Sequence, residues 1–209
     1  MIRAVLWDFG GVILSSPFEA FRHYEAQRGI PQDFIRSVNA TDPDVNAWAR
    51  LERAELDHEA FDVAFATESA ALGYEVPGGD VLALLAGDVR PEMVTALERV
   101  QAAGYRTACL TNNVLARDGQ PTARPDVRAV MARFDVVVES SKVGVRKPEP
   151  AFYTTACELL GVLPAECVFL DDLGINLKPA KAMGMTTIKV GDAAAAISEL
   201  EAVLGIRLS

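Results

Sequence analysis

Residues 167–190 read CVFLDDLGINLKPAKAMGMTTIKV, and this stretch changes periodicity twice. Cys167–Leu170 is a short apolar run of strand-forming residues that stops abruptly at Asp171 and Asp172, and Thr186–Val190 is a second such run. Between them, from about Asn176 to Met183, the pattern is that of an amphipathic helix, with Gly184 just past its end, where a left-handed residue is wanted. A strand, a helix and a strand in so short a space form a βαβ unit, which makes the two strands parallel.

The same rhythm extends outward. Strand-like runs occur at Ala4–Trp7, Thr107–Leu110 and Val136–Val138, and helical patterns at Pro91–Ala103, Pro125–Arg133, Glu149–Leu160 and Ala193–Leu204. Gly104, Gly161 and Gly205 sit just past helix ends, as Gly184 does. Such alternation predicts an α/β fold, a parallel sheet covered by helices on both faces. Residues 15–88 break it: they hold no clear strand, and their helical patterns lie near Pro17–Gly29, Pro43–Arg53 and Asp57–Leu72. The expectation is a core of residues 1–14 and 89–209, with 15–88 a helical insert over the carboxyl ends of the strands, the edge where open α/β sheets bind ligands.

With 209 residues the chain suffices for one well-buried domain with a smaller insert. A formal net charge of −9 argues against nucleic-acid binding, which needs a basic face. It leaves room for a small anionic substrate, since a metal and one or two local cations reverse the sign inside a pocket. Cys109, Cys157 and Cys167 form no CxxC pair, a usage that suits a reducing compartment. The first apolar run is too short for a membrane span and lacks a secretory cleavage pattern, so a cytoplasmic location without a membrane partner is expected. Nothing in the pattern specifies an oligomeric state.

Four stretches carry chemistry. Asp8, at the end of the first strand, is followed by Gly10 and Gly11, which allow a ligand or metal close to the main chain; the plain alternative is a solvated turn aspartate. Thr111 and Asn112 end the next core strand and offer donors suited to phosphate oxygens, although both residue types also serve as turn and cap residues. Lys147 precedes a helix whose start is marked by prolines, where a lysine can neutralise a carboxylate and a phosphate; Lys142 and Arg146 are rival cations. Asp171 and Asp172 are adjacent carboxylates after a buried strand, and their repulsion needs a cation to offset it. Magnesium takes oxygen ligands, commonly one or two carboxylates with waters. Asn176 is read as the cap of the following helix, with Pro179 in its first turn. All four stretches fall on one sheet edge and together supply nucleophile, donors, cation and metal ligands for phosphoryl transfer through an aspartyl-phosphate.

In this order, the stretches resemble the motifs of the haloacid dehalogenase-like hydrolase superfamily, in the branch with a helical cap after the first strand. The likeness is greatest to the amino-terminal phosphatase domains of soluble epoxide hydrolases, through TACLTNN, SSKVGVRKPEPAFY, VFLDDLGINLKPAKAMGM and the closing GIRL. It is firm from about Pro91 onward and looser before it. The epoxide-opening domain has no counterpart in the chain. The resemblance implies a Rossmann-like sheet of order 5-4-1-2-3 with the cap gating the site. It implies Asp8 as nucleophile, Thr111 and Asn112 on the phosphate, Lys147 balancing charge, and Mg2+ on Asp8, the Gly10 carbonyl and Asp172. Asp171 and Asn176 would act through water or from one layer out. The substrate would be a small phosphorylated metabolite.

The chain departs from that pattern at one position. Phosphatases of the family usually carry a second aspartate two residues after the nucleophile, to protonate the leaving oxygen and activate water, and here Gly10 stands there. General acid–base help is worth about 10²–10⁴ in rate. The expected enzyme therefore favours esters whose leaving group needs little protonation, such as glycosyl-1-phosphates, acyl phosphates and aryl phosphates. Ser15, Ser16 and His23 are candidate replacement acids. Phe18, Phe21, Arg22, Trp48, Arg50 and Arg53 are candidate substrate contacts in the insert, with cap core for the aromatics and solvated surface for the arginines as the plainer expectation. Two other readings fit parts of the pattern: a catalytically impaired protein that binds phosphate and metal, and a dehalogenase in which Asp8 attacks carbon without a metal.

Overall fold

The computed structural model describes residues 1–85, 87–113 and 124–208. Five strands, β1 (Ala4–Trp7), β2 (Arg106–Thr111), β3 (Val136–Glu139), β4 (Cys167–Asp171) and β5 (Thr186–Lys189), form one parallel sheet of order β3-β2-β1-β4-β5, the expected order. Side-chain alternation along β1 and β4 sorts the core into two layers. Val5, Trp7, Val168 and Leu170 pack on one face with α6 (Pro91–Ala102), α7 (Pro125–Met131) and α11 (Ala193–Leu204). Ala4, Leu6 and Phe169 face α9 (Pro150–Leu160) and α10 (Gly174–Ala182) on the other. With both faces covered, all four residues of β1 are buried, which explains a continuous apolar run in place of a half-polar strand.

The register sets the site. Trp7 lies beside Cys109 of β2 and Leu170 of β4. Asp8, one residue on, is therefore abreast of Asp171, and its N–H donates to the Leu170 carbonyl at 2.8 Å.

Between β1 and α6 lie α1 (Phe18–Arg28), α2 (Phe34–Ala40), α3 (Ala47–Glu52), α4 (His58–Ala71) and α5 (Gly78–Ala83). They share a third apolar cluster around Phe21, Ile35, Leu51, Phe61 and Phe65. The chain segments joining them to the sheet run side by side, with Leu14 bridged to Val89 and Ser15 N–H donating to Asp88. Sequence periodicity misses α2 and α5 because remote side chains hold their first turns. Buried Glu25 accepts from Asp33 and Ile35 N–H at 2.8 and 2.9 Å, and Asp62 accepts from Gly79 N–H at 2.7 Å. The four-residue α8 (Ser140–Val143) is too short to show a period.

One expected cap is corrected. The helix after β4 begins at Gly174, two residues before Asn176, because the Asp171 carboxylate accepts from Leu173 N–H at 2.8 Å and turns the chain early. Asn176 lies inside the first turn, and Pro179 is interior to the helix.

Candidate active site

The groups of the site come from the ends of β1, β2 and β4 and from the loop that carries Lys147. Asp8 follows β1, and a turn at Phe9–Ile13 folds its backbone back so that Leu14 N–H reaches the Phe9 carbonyl. Phe9 N–H donates to Asp8 Oδ1 at 2.6 Å, which fixes the carboxylate rotamer. Lys147 Nζ lies 2.6 Å from Asp8 Oδ1 and 2.9 Å from Asp171 Oδ2, and its side chain is only 2% exposed. Asp171, fully buried, is held further by Asn176 Nδ2 at 3.1 Å from both of its oxygens. Tyr153 Oη donates to the Asn176 carbonyl at 2.7 Å and fastens that helix turn from α9. Asn176 thus serves the carboxylate rather than the helix end.

Asp8, Asp171 and Asp172 each bring a carboxylate oxygen within 4.8 Å of the others. Burial pushes the Asp8 pKa well up, Lys147 pulls it down, and Asp171 and Asp172 raise it again. Asp172 is pushed up to about 6, first by burial and then by Asp171. Burial alone would lower the Lys147 pKa, but the Asp171 and Asp8 carboxylates outweigh it and raise it. One buried ammonium thus stands among three acids, an excess of carboxylate over cation. Gly11 makes room for the Asp172 carboxylate: its φ is +78°, and a Cβ there would lie 2.3 Å from Asp172 Oδ2. Gly10 is different, with φ −69° and no atom within 4 Å of where its Cβ would stand. Among the described residues, apart from its chain neighbours, no side chain lies within 4 Å of that place.

Thr111 ends β2, largely buried, beside Glu139 in the register. Asn112 is engaged on every side-chain valence by which it was expected to act. Its Oδ1 accepts from Lys147 N–H at 2.8 Å, and its Nδ2 donates to the Lys147 carbonyl at 2.9 Å and to Glu52 Oε2 at 3.2 Å. The amide therefore docks the Lys147 main chain as a strand neighbour would, and a phosphate oxygen could claim Nδ2 only by displacing one of these acceptors. Asn113 holds the other side of the loop, donating to Glu139 and accepting from the Ser141 hydroxyl at 2.9 Å each.

The rival cations go elsewhere. Lys142 is exposed and pairs with Glu139, while Arg146 Nε pairs with Glu52 Oε2 at 2.6 Å. Arg53 is not a solvated surface charge: its side chain is 17% exposed, bound to Glu149 at 2.9 Å and to the Asp44 carbonyl. Arg22 is exposed, and Arg50 forms a loose surface pair with Glu55. Phe21 lies in the apolar cluster of the insert, and Phe18 and Trp48 pack against it. Ser15 and Ser16 hydroxyls accept backbone N–H groups, and His23 meets Gln27 at the surface. Glu52 escapes a motif search altogether. Its signal is faint: a glutamate four residues after Trp48, beside Leu51 on the buried face of α3.

The comparisons agree with this architecture. The family model for haloacid dehalogenase-like hydrolases matches residues 2–184. Mouse acyl-CoA dehydrogenase family member 10 is 35% identical over 99% of this chain and 19% of its own length. Mouse bifunctional epoxide hydrolase 2 is 32% identical over 98% of this chain and 39% of its own length. The chain therefore spans well under half of either relative. A haloacid dehalogenase family enzyme of Bacteroides thetaiotaomicron, solved with magnesium and inorganic phosphate, superposes with a TM-score of 0.59 at 19% identity, covering 92% of this chain and 96% of its own. A dehalogenase solved with an intermediate gives a TM-score of 0.67 at 20% identity, covering 100% and 98%. No helix among the described residues is long and apolar enough to cross a membrane. By its sequence match, its sheet order and the carboxylates gathered at one edge, the chain belongs to the haloacid dehalogenase-like hydrolase family.

Proposed function

We propose that the protein is a magnesium-dependent phosphatase acting on a small phosphorylated metabolite, with Asp8 as the nucleophile that takes the phosphoryl group. The observation that carries this reading is the carboxylate trio of Asp8, Asp171 and Asp172 around one buried lysine. With all three acids ionised, one ammonium would leave two negative charges. That suits a divalent cation with hard oxygen ligands, which would also draw off the protons held by the raised carboxyls. The donor set fits magnesium: Asp8, Asp172 and the Gly10 carbonyl would hold it, with Asp171 and Asn176 behind them. When bound, the ion supplies charge neutralisation at the phosphoryl oxygens.

The chain's own residues do the rest. Lys147 keeps the Asp8 carboxylate aimed and offsets its charge as a dianionic ester approaches, and Thr111 supplies a hydroxyl donor. Asp8 Oδ attacks phosphorus, the P–O bond to the leaving group breaks, and an aspartyl-phosphate forms on Asp8. Water then attacks phosphorus, returning the carboxylate and releasing orthophosphate. With Gly10 at the usual acid position, proton transfer in both halves falls to solvent, which favours good leaving groups. Residues 15–88 form a cap over this edge, and residues 1–14 and 89–209 form the core.

Gly10 also favours a second reading, a protein that binds phosphate and magnesium with little turnover. A panel of phosphate esters with and without magnesium, with Asp8→Asn as control, tests both. Turnover that needs magnesium and Asp8 supports the phosphatase. Turnover persisting in Asp8→Asn refutes the nucleophile. Metal-independent release of halide from 2-haloacids would replace both readings with a dehalogenase.

A further inference from the structure

Glu52 lies in the insert, far in sequence from the strand ends, yet its carboxylate meets Asn112 after β2 and Arg146 beside Lys147 at once. Glu52 Oε2 accepts from Asn112 Nδ2 at 3.2 Å, and Arg146 Nε lies 2.6 Å from the same oxygen. Asn112 in turn exchanges two hydrogen bonds with the Lys147 main chain. The next residue of α3's end, Arg53, binds Glu149 two residues beyond Lys147 at 2.9 Å. An acid–base pair in the insert thus brackets residues 146–149 through a base and an acid of the opposite order.

We propose that Glu52 is a positioning residue that acts through Asn112 to hold Lys147 on Asp8, so that docking of α3 completes the site, while its ion pair with Arg146 anchors α3. This inference rests on the reading of Asp8 and Lys147 as a phosphoryl-transfer centre. Glu52 acts here as an acceptor and not as the missing acid. Its pKa is raised, first by burial, with Arg146 and the Trp48 indole partly opposing the shift. Its role as acceptor rests on the geometry, with Asn112 Nδ2 and Arg146 Nε both facing Oε2. Removing the carboxylate leaves Asn112 Nδ2 one acceptor short and frees the amide to rotate away from Lys147. Hydrogen bonds between charged and neutral groups are strong enough that this loss should weaken orthophosphate binding roughly 10-fold.

The test compares Glu52→Ala and Glu52→Gln in the full chain by three measurements. These are the side-chain amide NMR signals of Asn112, the magnesium-dependent affinity for orthophosphate with kcat and KM for 4-nitrophenyl phosphate, and thermal unfolding. Both variants lose the Arg146 ion pair, so both should unfold earlier. Glu52→Gln keeps an acceptor for Asn112, so its Asn112 signals and orthophosphate affinity should stay near wild type. Glu52→Ala should shift those signals and lose both affinity and kcat/KM. Should Glu52→Ala fail to fold, Glu52→Asp takes its place, one methylene too short to reach Asn112. Unchanged Asn112 signals in Glu52→Ala, tighter orthophosphate binding in it, or an equal loss in Glu52→Gln would each overturn the proposal. If the wild type neither binds orthophosphate nor turns over, the phosphatase reading fails, and the Asn112 signals alone still decide the role of Glu52.

Discussion

Adding magnesium to the metal-free protein tests the charge argument at the site. Asp8, Asp171 and Asp172 crowd within 4.8 Å, with Lys147 in contact with Asp8 and Asp171. An ion that binds this cluster only when folded stabilises by mass action, by about 2.7 kcal/mol at 100 times its Kd. For a chain of this length, that shift corresponds to a rise in Tm of roughly 5–11 °C. Replacing Asp172 by Asn should weaken binding at least tenfold and so cut the stabilisation to about half at the same magnesium concentration.

The pH dependence has a definite sign. Asp172 is raised from an ordinary 3.8 to about 6, so between these values the folded state holds a proton that the unfolded state has lost. In EDTA its contribution to stability is therefore greatest below pH 4 and declines as pH rises to 6, by at most about 3 kcal/mol, then levels off. Magnesium competes with that proton, so its stabilising effect should grow from pH 5 to pH 7. Differential scanning calorimetry in EDTA and in magnesium, at pH 5, 6 and 7, reads both effects. No magnesium shift, an undiminished shift in Asp172→Asn, or a larger shift at pH 5 than at pH 7 would refute the reasoning.

Lys147→Met should cost about 3–5 kcal/mol in urea unfolding at pH 7.5, because it strands buried carboxylates without their cation; the deficit should shrink toward acid pH, and a loss below about 1 kcal/mol would contradict the ion-pair account. Gly11→Ala should weaken magnesium binding and cost about 1–3 kcal/mol, since its left-handed backbone and the Asp172 carboxylate leave no room for a methyl. Gly10→Ala, with ordinary φ and open space, should stay within about 0.5 kcal/mol of wild type; equal effects at the two glycines, measured by thermal unfolding and magnesium titration, would sink that contrast. The wild-type rate should depend steeply on leaving-group acidity, and Gly10→Asp should raise turnover of alkyl phosphates by about 10²–10⁴ with little change for 4-nitrophenyl phosphate. A flat dependence in the wild type would exclude Gly10 as the reason for any substrate preference.

What could be read from sequence, and what could not, divides along the range of the interactions involved. Asp8, Thr111, Asp171 and Asp172 each follow or end an apolar strand, and parallel pairing in register brings such positions to one edge without further information. The strands and the long helices are legible because each rests on its own local period, whereas the strand order comes from the family resemblance and not from any local signal. The side-chain pairings are not local. Glu25 caps α2 from eight residues upstream, and Arg53 meets Glu149 across 96 positions. Asn176 shows how this matters: its place after β4 looks like a cap, but Asp171 takes over the turn and recruits the amide for itself.

Lys147 carries the same lesson into function. Three basic residues, Lys142, Arg146 and Lys147, are rivals in sequence for one role; the proline-marked helix start and the family resemblance favour Lys147, but neither shows what each cation pairs with. Their partners differ: Glu139 takes Lys142, Glu52 takes Arg146, and Asp8 with Asp171 takes Lys147. Each pairing removes one rival from the site, so the acid that selects the cation on its flank is as much a determinant of the centre as the cation itself. Glu52 performs that selection from the insert, which is why residues outside the four motifs should change the orientation of the groups within them.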